Sequence, residues 1–205
     1  MIFTQQLGGI GRIFQPAAPA PSGVTWDPAD KGSATLSNGN LTALRTGAAA
    51  GFANVRSTVS KTTGKWYFEV QIDIEAGFMP GVGITSQSVS GDGEFGGGTQ
   101  GYELRVNGTR YVNTTATGGW SAAFVANDVM MVAFDMGAGH IWWGKNGTWL
   151  NSGNPAAGTS PAATGITGTH RAAAVCGTSS AVGKVTARFA SADFTYSPPA
   201  GFSAL

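Results

Sequence analysis

Three acidic residues on one predicted strand are the first candidates for chemistry. Glu69, Asp73 and Glu75 are separated by even intervals, which places their side chains on one face of a strand. A glycosidase needs two carboxyl groups that oppose each other across a cleft, one of them with a raised pKa. Acids in a row along a single strand lack that arrangement. The pattern therefore predicts a solvated strand face and no catalytic pair.

The histidines and the single cysteine do not form a recognisable site either. His140 and His170 are 30 residues apart, without ligand-type neighbours, so the sequence supports neither a metal site nor a Ser/His/Asp triad. Cys176 lies in an apolar run and is expected to be a small buried side chain. We predict no catalytic residue, no metal and no cofactor, and hence a protein that is not an enzyme.

One glycine-rich loop has the G-x-G-x-x-G spacing. Residues 91–96 match it, but more glycines and a predicted hairpin follow, whereas a dinucleotide site needs a strand before the motif and a helix after it. We interpret the segment as a loop. Asp92 and Glu94 in this loop could hold Ca²⁺ with the help of carbonyl oxygens, and the sequence leaves that question open.

The composition limits the class of protein. Charged residues make up 11% of the 205 residues, and the formal net charge is +1. So little charge excludes a polybasic nucleic-acid binder and a highly charged disordered chain. The hydrophobic fraction of 42% is sufficient for a core. No apolar run approaches the roughly 18 residues of a membrane span, and no basic segment typical of a secretion signal begins the chain.

Alternation and turn residues predict an all-β chain. Residues 66–74 alternate between apolar and polar, which indicates a strand with one buried face. Asn107-Gly108 and Asn146-Gly147 predict hairpins over 102–113 and 140–151, because Asn-Gly favours a two-residue type I′ turn. Further strands are predicted at 129–135, 182–189 and 193–196. Many short strands with frequent turns favour a sandwich or a barrel.

Residues 1–23 differ from the rest of the chain. They are rich in Gly, Pro and Ala, which favours an extended arm, and they carry the large apolar side chains Ile2, Phe3, Ile13 and Phe14. One interpretation is a disordered leader. The other, which we adopt as the hypothesis to test, is an anchor that docks into another subunit. The remaining domain would then cover 24–205.

Several segments of this domain resemble SPRY domains found in bacteriophage proteins. In chain order they are 26–32 (WDPADKG), 36–42 (LSNGNLT), 64–70 (GKWYFEV), 81–84 (GVGI), 127–129, 133–136, 139–147, 185–189 and 194–205. The resemblance implies an antiparallel β-sandwich that is not an enzyme and that presents loops at one end to a protein or other partner. It also implies a virion component of the tail fibre, baseplate or head surface. No contact residue carries over, because the binding loops of the family vary.

One departure from the family pattern predicts an aromatic site. Trp142 stands where similar sequences usually have a small polar residue, while Ile141 and Trp143 would take the buried positions. A two-residue turn at 146–147 pairs Gly144 with Trp149, which makes Trp142 and Trp149 diagonal neighbours on the outward face. They would form a platform for sugar rings or a protein partner. The alternative is that the arm, another loop or a neighbouring subunit covers this face.

Three loops supply the other candidate binding residues. The loops 77–80, 87–100 and 114–127 hold Phe78, Met79, Phe95 and Trp120. These side chains either face a partner, as loop residues on a rigid scaffold often do, or close the ends of the sandwich.

The leading functional hypothesis is a non-catalytic phage virion protein. Its arm would bind other virion proteins and its sandwich a host-surface protein or glycan, or the virion surface itself. It would be assembled in the bacterial cytoplasm as a homo-oligomer, without nucleic acid or membrane insertion. The alternatives are an intracellular SPRY adaptor that binds a host peptide, and a carbohydrate-binding or carbohydrate-active sandwich.

Overall fold

A computed structural model describes residues 23–46, 51–74, 80–88, 95–178 and 182–205. The arm predicted for residues 1–23 therefore lies outside the described residues, apart from Gly23. In the part of the chain that is described, no helix has the length and apolar character needed to cross a membrane.

The regular secondary structure of the described chain is almost entirely β-strand. Its strands are β1 Trp26–Lys31, β2 Thr35–Ser37, β3 Thr42–Arg45, β4 Phe52–Ser57, β5 Lys65–Ile74, β6 Gly81–Thr85, β7 Gly101–Arg105, β8 Arg110–Val112, β9 Thr115–Thr117, β10 Val129–Asp135, β11 His140–Lys145, β12 Thr148–Trp149, β13 Arg171–Thr178, β14 Gly183–Arg188 and β15 Ser203–Ala204. Two short 3-10 helices span Leu150–Ser152 and Ser191–Asp193.

The strands form a sandwich of two antiparallel sheets, as predicted. Sheet A has the order β1-β4-β13-β6-β7-β8-β9, and sheet B has the order β12-β11-β10-β5-β14-β3-β2. The strand β15 joins sheet B beside β5 and runs parallel to it. The predicted strand at 129–135 is confirmed, and the predicted strand at 182–189 corresponds to β14.

The core lies between the sheets and follows the predicted alternation. Phe68, Val70 and Ile72 of β5 are fully buried in it. Complete burial of an apolar side chain of this size contributes about 1.5–3 kcal/mol to stability. Trp143 crosses from sheet B and donates its indole N–H to the Val82 carbonyl oxygen of sheet A at 2.9 Å. The two sheets are therefore held together by a paired polar group as well as by apolar packing.

The two predicted hairpins form, but their turns differ. Asn146 and Gly147 both have positive φ, and Gly144 pairs with Trp149, so the β11–β12 turn is the predicted two-residue type. The prediction is wrong for β7–β8, because Asn107 is not left-handed. There the Gly108 N–H donates to the Arg105 carbonyl at 2.9 Å, which makes a three-residue loop with Gly108 (φ 81) as the left-handed residue.

The last residues of the chain do not form the strand predicted at 193–196. Residues 189–205, here named the C-terminal strap, leave β14 through the 3-10 helix Ser191–Asp193 and cross the outer face of sheet B. The strand β14 ends with Arg188 opposite Glu69, so the neighbouring stretch of β5 has no β14 partner. Ser203 and Ala204 take that position opposite Trp66 and Tyr67.

The strap also corrects the prediction of a solvated acidic face on β5. Glu69 is fully buried, because the strap covers it. Its carboxylate accepts hydrogen bonds from the Tyr67 hydroxyl and from the backbone N–H groups of Thr195 and Tyr196, each at 2.8 Å. Asp73 is half-buried, and Glu75 lies outside the described residues. Glu69 therefore holds the strap in place instead of facing solvent.

Candidate binding surface at one end of the sandwich

Loops from both sheets meet at one end of the molecule, which we name the loop end. In the described chain it consists of residues 80, 106–109, 118–128, 145–148 and 182. Backbone hydrogen bonds connect residue 80 and the loops 106–109 and 118–128 directly. Val106 N–H donates to the Pro80 carbonyl at 2.9 Å, and Phe124 N–H donates to the Val106 carbonyl at 2.7 Å. These three segments thus form a continuous surface and not a set of independent loops.

The loop 118–128 is anchored to the core by Phe124. This side chain is 1% exposed and belongs to the main apolar cluster. Farther along, Asn127 N–H donates to the Ile72 carbonyl at 2.6 Å, and Ile72 N–H donates to the Asp128 carbonyl at 2.9 Å. The residues between these anchors are consequently held in one position relative to β5.

Asp128 joins this loop to the β11–β12 turn. Its carboxylate accepts hydrogen bonds from Val125 N–H at 2.7 Å and from the Asn146 side-chain amide at 2.6 Å, and it pairs with Lys145 at 2.8 Å. Partial burial favours the neutral acid, but Lys145, Val125 and Asn146 together outweigh it and lower the pKa of Asp128. Asp128 is therefore ionised at neutral pH and clamps the loop.

The clamped loop presents apolar side chains to solvent. Its Val125 is 56% exposed, and the only other exposed large apolar residue of the described chain is Val182, which precedes β14 and is 40% exposed. Ala122, Ala123 and Ala126 are also exposed, and residues 118–127 contain no charged residue. An exposed apolar surface on a rigid, uncharged loop is suited to contact with another protein. Sequence reasoning selected this loop but missed Val125, because single exposed valines have no recognisable pattern.

Trp120, the predicted contact in this loop, closes the edge of the sandwich. It is half-buried, and its ring lies 6.1 Å from that of Trp143 in an edge-on arrangement. The Arg110 guanidinium lies 5.2 Å from the Trp120 ring centroid, and the Asn151 side-chain amide donates to the Trp120 carbonyl at 2.8 Å. Trp120 therefore supports the loop from within the molecule.

The other loop candidates do not join this surface. Phe95 is 2% exposed and packs against Ala173 and Val175 on the outer face of sheet A. The loop that contains it connects β6 to β7 at the opposite end of the sandwich. Phe78 and Met79 lie outside the described residues, as do Asp92 and Glu94. The partner-facing role predicted for Phe95 is not compatible with its burial.

Trp142 points outward as predicted but does not form an open platform. It is 1% exposed because Phe202 of the strap lies over it, with ring centroids 6.1 Å apart. Its indole N–H donates to the Thr159 carbonyl at 2.8 Å. Trp149 remains half-buried. The alternative that another segment covers this face is thus correct at Trp142, and the covering segment is the strap.

The remaining titratable candidates are structural. Cys176 is fully buried, and burial raises the pKa of its thiol to about 12. His170 is fully buried, and its ring lies 5.7 Å from that of Tyr102. Burial lowers the pKa of His170 and outweighs the opposite effect of the Gln100 backbone. Among the described residues there is no group of three or more His, Cys, Asp or Glu side chains that could hold a metal ion.

The central part of the sequence matches the model of a known family. Residues 65–166 match the family model of the SPRY domain. This segment runs from β5 past β12 and includes both hairpins and the loop 118–128. This segment of the chain therefore resembles a SPRY domain. SPRY domains are in general non-catalytic modules that mediate protein–protein interactions.

Solved structures show the same fold. The crystal structure of the SPRY domain of human HERC1 has a TM-score of 0.64 and 20% identity, and the match covers 79% of this chain and 96% of that chain. Stonustoxin has a TM-score of 0.55 and 20% identity, with coverage of 80% of this chain but 27% of that chain. At this identity the similarity establishes the fold alone. No curated protein matches the sequence.

Proposed function

We propose that this protein is a non-catalytic binding module that recognises a protein partner through the loop end. The observation that carries the proposal is Val125, a large apolar side chain that is 56% exposed on a loop clamped by Phe124 and Asp128. A rigid contact loop loses little conformational entropy on binding. The SPRY family supports the same class of function, because its members bind other proteins.

We further propose that the protein is a bacteriophage virion component, present in several copies. The support is the resemblance of its segments to SPRY domains of phage proteins, together with an arm that carries Ile2, Phe3, Ile13 and Phe14. In this proposal the arm docks the protein to other virion proteins, and the loop end faces a host-surface protein or glycan.

The location is tested in purified phage particles. Full-length protein is compared with a variant that lacks residues 1–23, and the copy number of each is determined by quantitative mass spectrometry. We expect only the full-length protein on particles. A protein that is absent from particles and monomeric in the cytoplasm would refute the virion proposal and favour an intracellular adaptor.

The binding surface is tested with Val125→Asp. Since a buried, unpaired charge is strongly unfavourable in an interface, we expect at least about a tenfold loss of attachment to host cells. Ala192→Asp introduces the same charge at an exposed position on the 3-10 helix that follows β14, away from the loop end, and should bind like the wild type. Equal binding by both variants would show that the loop end is not the contact surface.

A further inference from the structure

Two aromatic side chains, one from the β11–β12 hairpin and one from the strap, lie on the outer face of sheet B. Trp149 and Tyr196 are both half-buried and pack against the covered cluster that contains Tyr67 and Trp142. Tyr196 belongs to the strap, so it was not among the aromatic residues predicted for a platform.

Two glycines of the hairpin give these rings their positions. A Cβ atom on Gly147 would lie 3.0 Å from Cδ1 of Tyr196, and a Cβ atom on Gly144 would lie 3.2 Å from Cε3 of Trp149. Met131 lies beneath both sites, because its sulfur is 3.1 Å from the Gly147 nitrogen and 3.1 Å from the Cβ position of Gly144. The Met131 side chain therefore packs beneath the hairpin positions that both rings contact.

The surroundings of the rings are polar but uncharged. The exposed side chains that adjoin them in the sequence are Thr148, Asn151, Ser152, Thr195 and Ser197. The charges nearest to them are paired with each other. Lys145 pairs with Asp128 at 2.8 Å, and Arg188 lies 3.7 Å from Glu69, which is buried beneath the strap.

We propose that Trp149 and Tyr196 form a binding site for a neutral carbohydrate. One face of a sugar ring consists of C–H groups and packs against an aromatic ring, while its hydroxyl groups need uncharged hydrogen-bond donors and acceptors. The two rings supply the apolar surface, and hydroxyl and amide side chains supply the hydrogen bonds. An acidic or phosphorylated ligand is disfavoured, because the nearby cations Lys145 and Arg188 already have the carboxylates of Asp128 and Glu69 as partners. The inference does not depend on the protein partner of Val125 or on the virion role.

The test is a titration of the full chain with cellohexaose, maltohexaose or chitohexaose in separate experiments. Binding is monitored by tryptophan fluorescence and by the NMR resonance of the Trp149 indole N–H. We expect at least one of these oligosaccharides to shift that resonance. Trp149→Leu and Tyr196→Leu should weaken binding about tenfold, because they keep apolar area but remove the ring. Trp149→Phe and Tyr196→Phe retain a ring and should bind within about threefold of the wild type. Val125→Ala is the control at the loop end and should leave sugar binding unchanged.

Three outcomes would overturn the inference. The first is that none of the three oligosaccharides perturbs the Trp149 resonance at millimolar concentration, a readout that needs no variant and no folding control. The second is that binding persists in both leucine variants. The third is that Trp149→Leu abolishes host-cell attachment while no oligosaccharide binds, which would make the pair a protein contact. Loss of attachment in Val125→Asp with sugar binding intact would leave this inference standing beside the proposed protein contact.

Discussion

The carboxylate of Glu69 accepts three hydrogen bonds, and two of them come from the backbone of the C-terminal strap. Arg188 lies 3.7 Å from the same carboxylate. A fully buried acid is stable only when its oxygens are paired, and here the donors come from two parts of the chain that are far apart in sequence. One side chain thus connects the centre of sheet B to the strap.

Glu69→Ala should therefore be severely destabilising. It leaves the Tyr67 hydroxyl and the Thr195 and Tyr196 N–H groups without their acceptor, and we expect a loss of about 3–5 kcal/mol in the free energy of unfolding. Urea denaturation measures this loss. Asp193→Ala removes an exposed carboxylate from the same strap and is the matched control. If the two variants were equally stable, Glu69 would not hold the strap.

His170 should make the protein sensitive to mild acid. Its pKa is lowered in the folded state, so the unfolded state binds the proton first as the pH falls. Its contribution to stability is fully present above the unfolded pKa of about 6.5 and declines as the pH falls from there toward the lower folded value. We expect the free energy of unfolding to decrease below this pH in the wild type and much less in His170→Leu. A slope that survives in His170→Leu would assign it to another group.

At the scale of elements, the loop end is built by clamping one loop onto one hairpin. Phe124 fixes the loop 118–128 from the core side, and Asp128 fixes it to Lys145 and Asn146. Because both anchors are buried or nearly so, the exposed residues between them form a preformed contact surface.

Asp128→Ala should loosen this surface without unfolding the sandwich. We expect a loss of about 1–3 kcal/mol at neutral pH, and faster hydrogen exchange at the Val125 amide. Since the pKa of Asp128 is lowered, its contribution is present above the unfolded value of about 3.9 and disappears as the pH falls through the lower folded value. The difference between wild type and variant should shrink accordingly. Ser121→Ala in the same loop should exchange like the wild type, and unchanged exchange in Asp128→Ala would refute the clamp.

Local sequence patterns predicted the elements that depend on neighbouring residues. The alternation of β5 predicted which of its side chains face the core, and the Asn146-Gly147 turn predicted the pairing of Gly144 with Trp149 and the outward direction of Trp142. The burial of Trp142 could not be predicted in the same way. It depends on Phe202, which is far away in sequence and reaches the site only through an irregular segment with no periodic pattern. For the same reason the alternation of β5 wrongly predicted that Glu69 faces solvent.

The binding surface was predictable only in part. The position of the loop 114–127 between strands predicted a contact loop, but the aromatic residue Trp120 was predicted as its contact residue and Val125 was not. A side chain of intermediate size becomes a contact residue through the anchors on either side of it, and those anchors are tertiary contacts. The two-residue turn predicted at Asn107-Gly108 is wrong because the Gly108 N–H donates to the Arg105 carbonyl, which makes a three-residue loop. The dipeptide Asn-Gly alone does not distinguish the two loop lengths.

At the scale of the whole molecule, the low charge limits the contribution of electrostatics to partner binding. The formal net charge is +1, and the described loop 118–127 has no charged residue. Long-range electrostatic steering therefore contributes little, and recognition depends on shape and apolar contact.

Partner binding should accordingly be insensitive to salt. Between about 50 and 500 mM NaCl we expect the affinity for the partner to change by less than about threefold, because few charges are screened. Surface plasmon resonance with the isolated partner measures this. A variant with Val125→Lys is the comparison, since its added charge should introduce a salt dependence. A tenfold loss of wild-type affinity over the same range would contradict contact through the uncharged loop.

The parallel strand β15 has a consequence for the order in which the protein is made. Ser203 and Ala204 occupy the place beside Trp66 and Tyr67, and Leu205 N–H donates to the Tyr67 carbonyl at 3.2 Å. During translation, the ribosome must therefore synthesise almost the whole domain before the first half of β5 acquires its second neighbour. Until then, the aromatic face around Tyr67 and Trp142 is bare on the nascent chain. The protein thus depends on the C-terminal strap to cover this aromatic surface, and chaperones that bind exposed aromatic segments can act on it until the strap has been made.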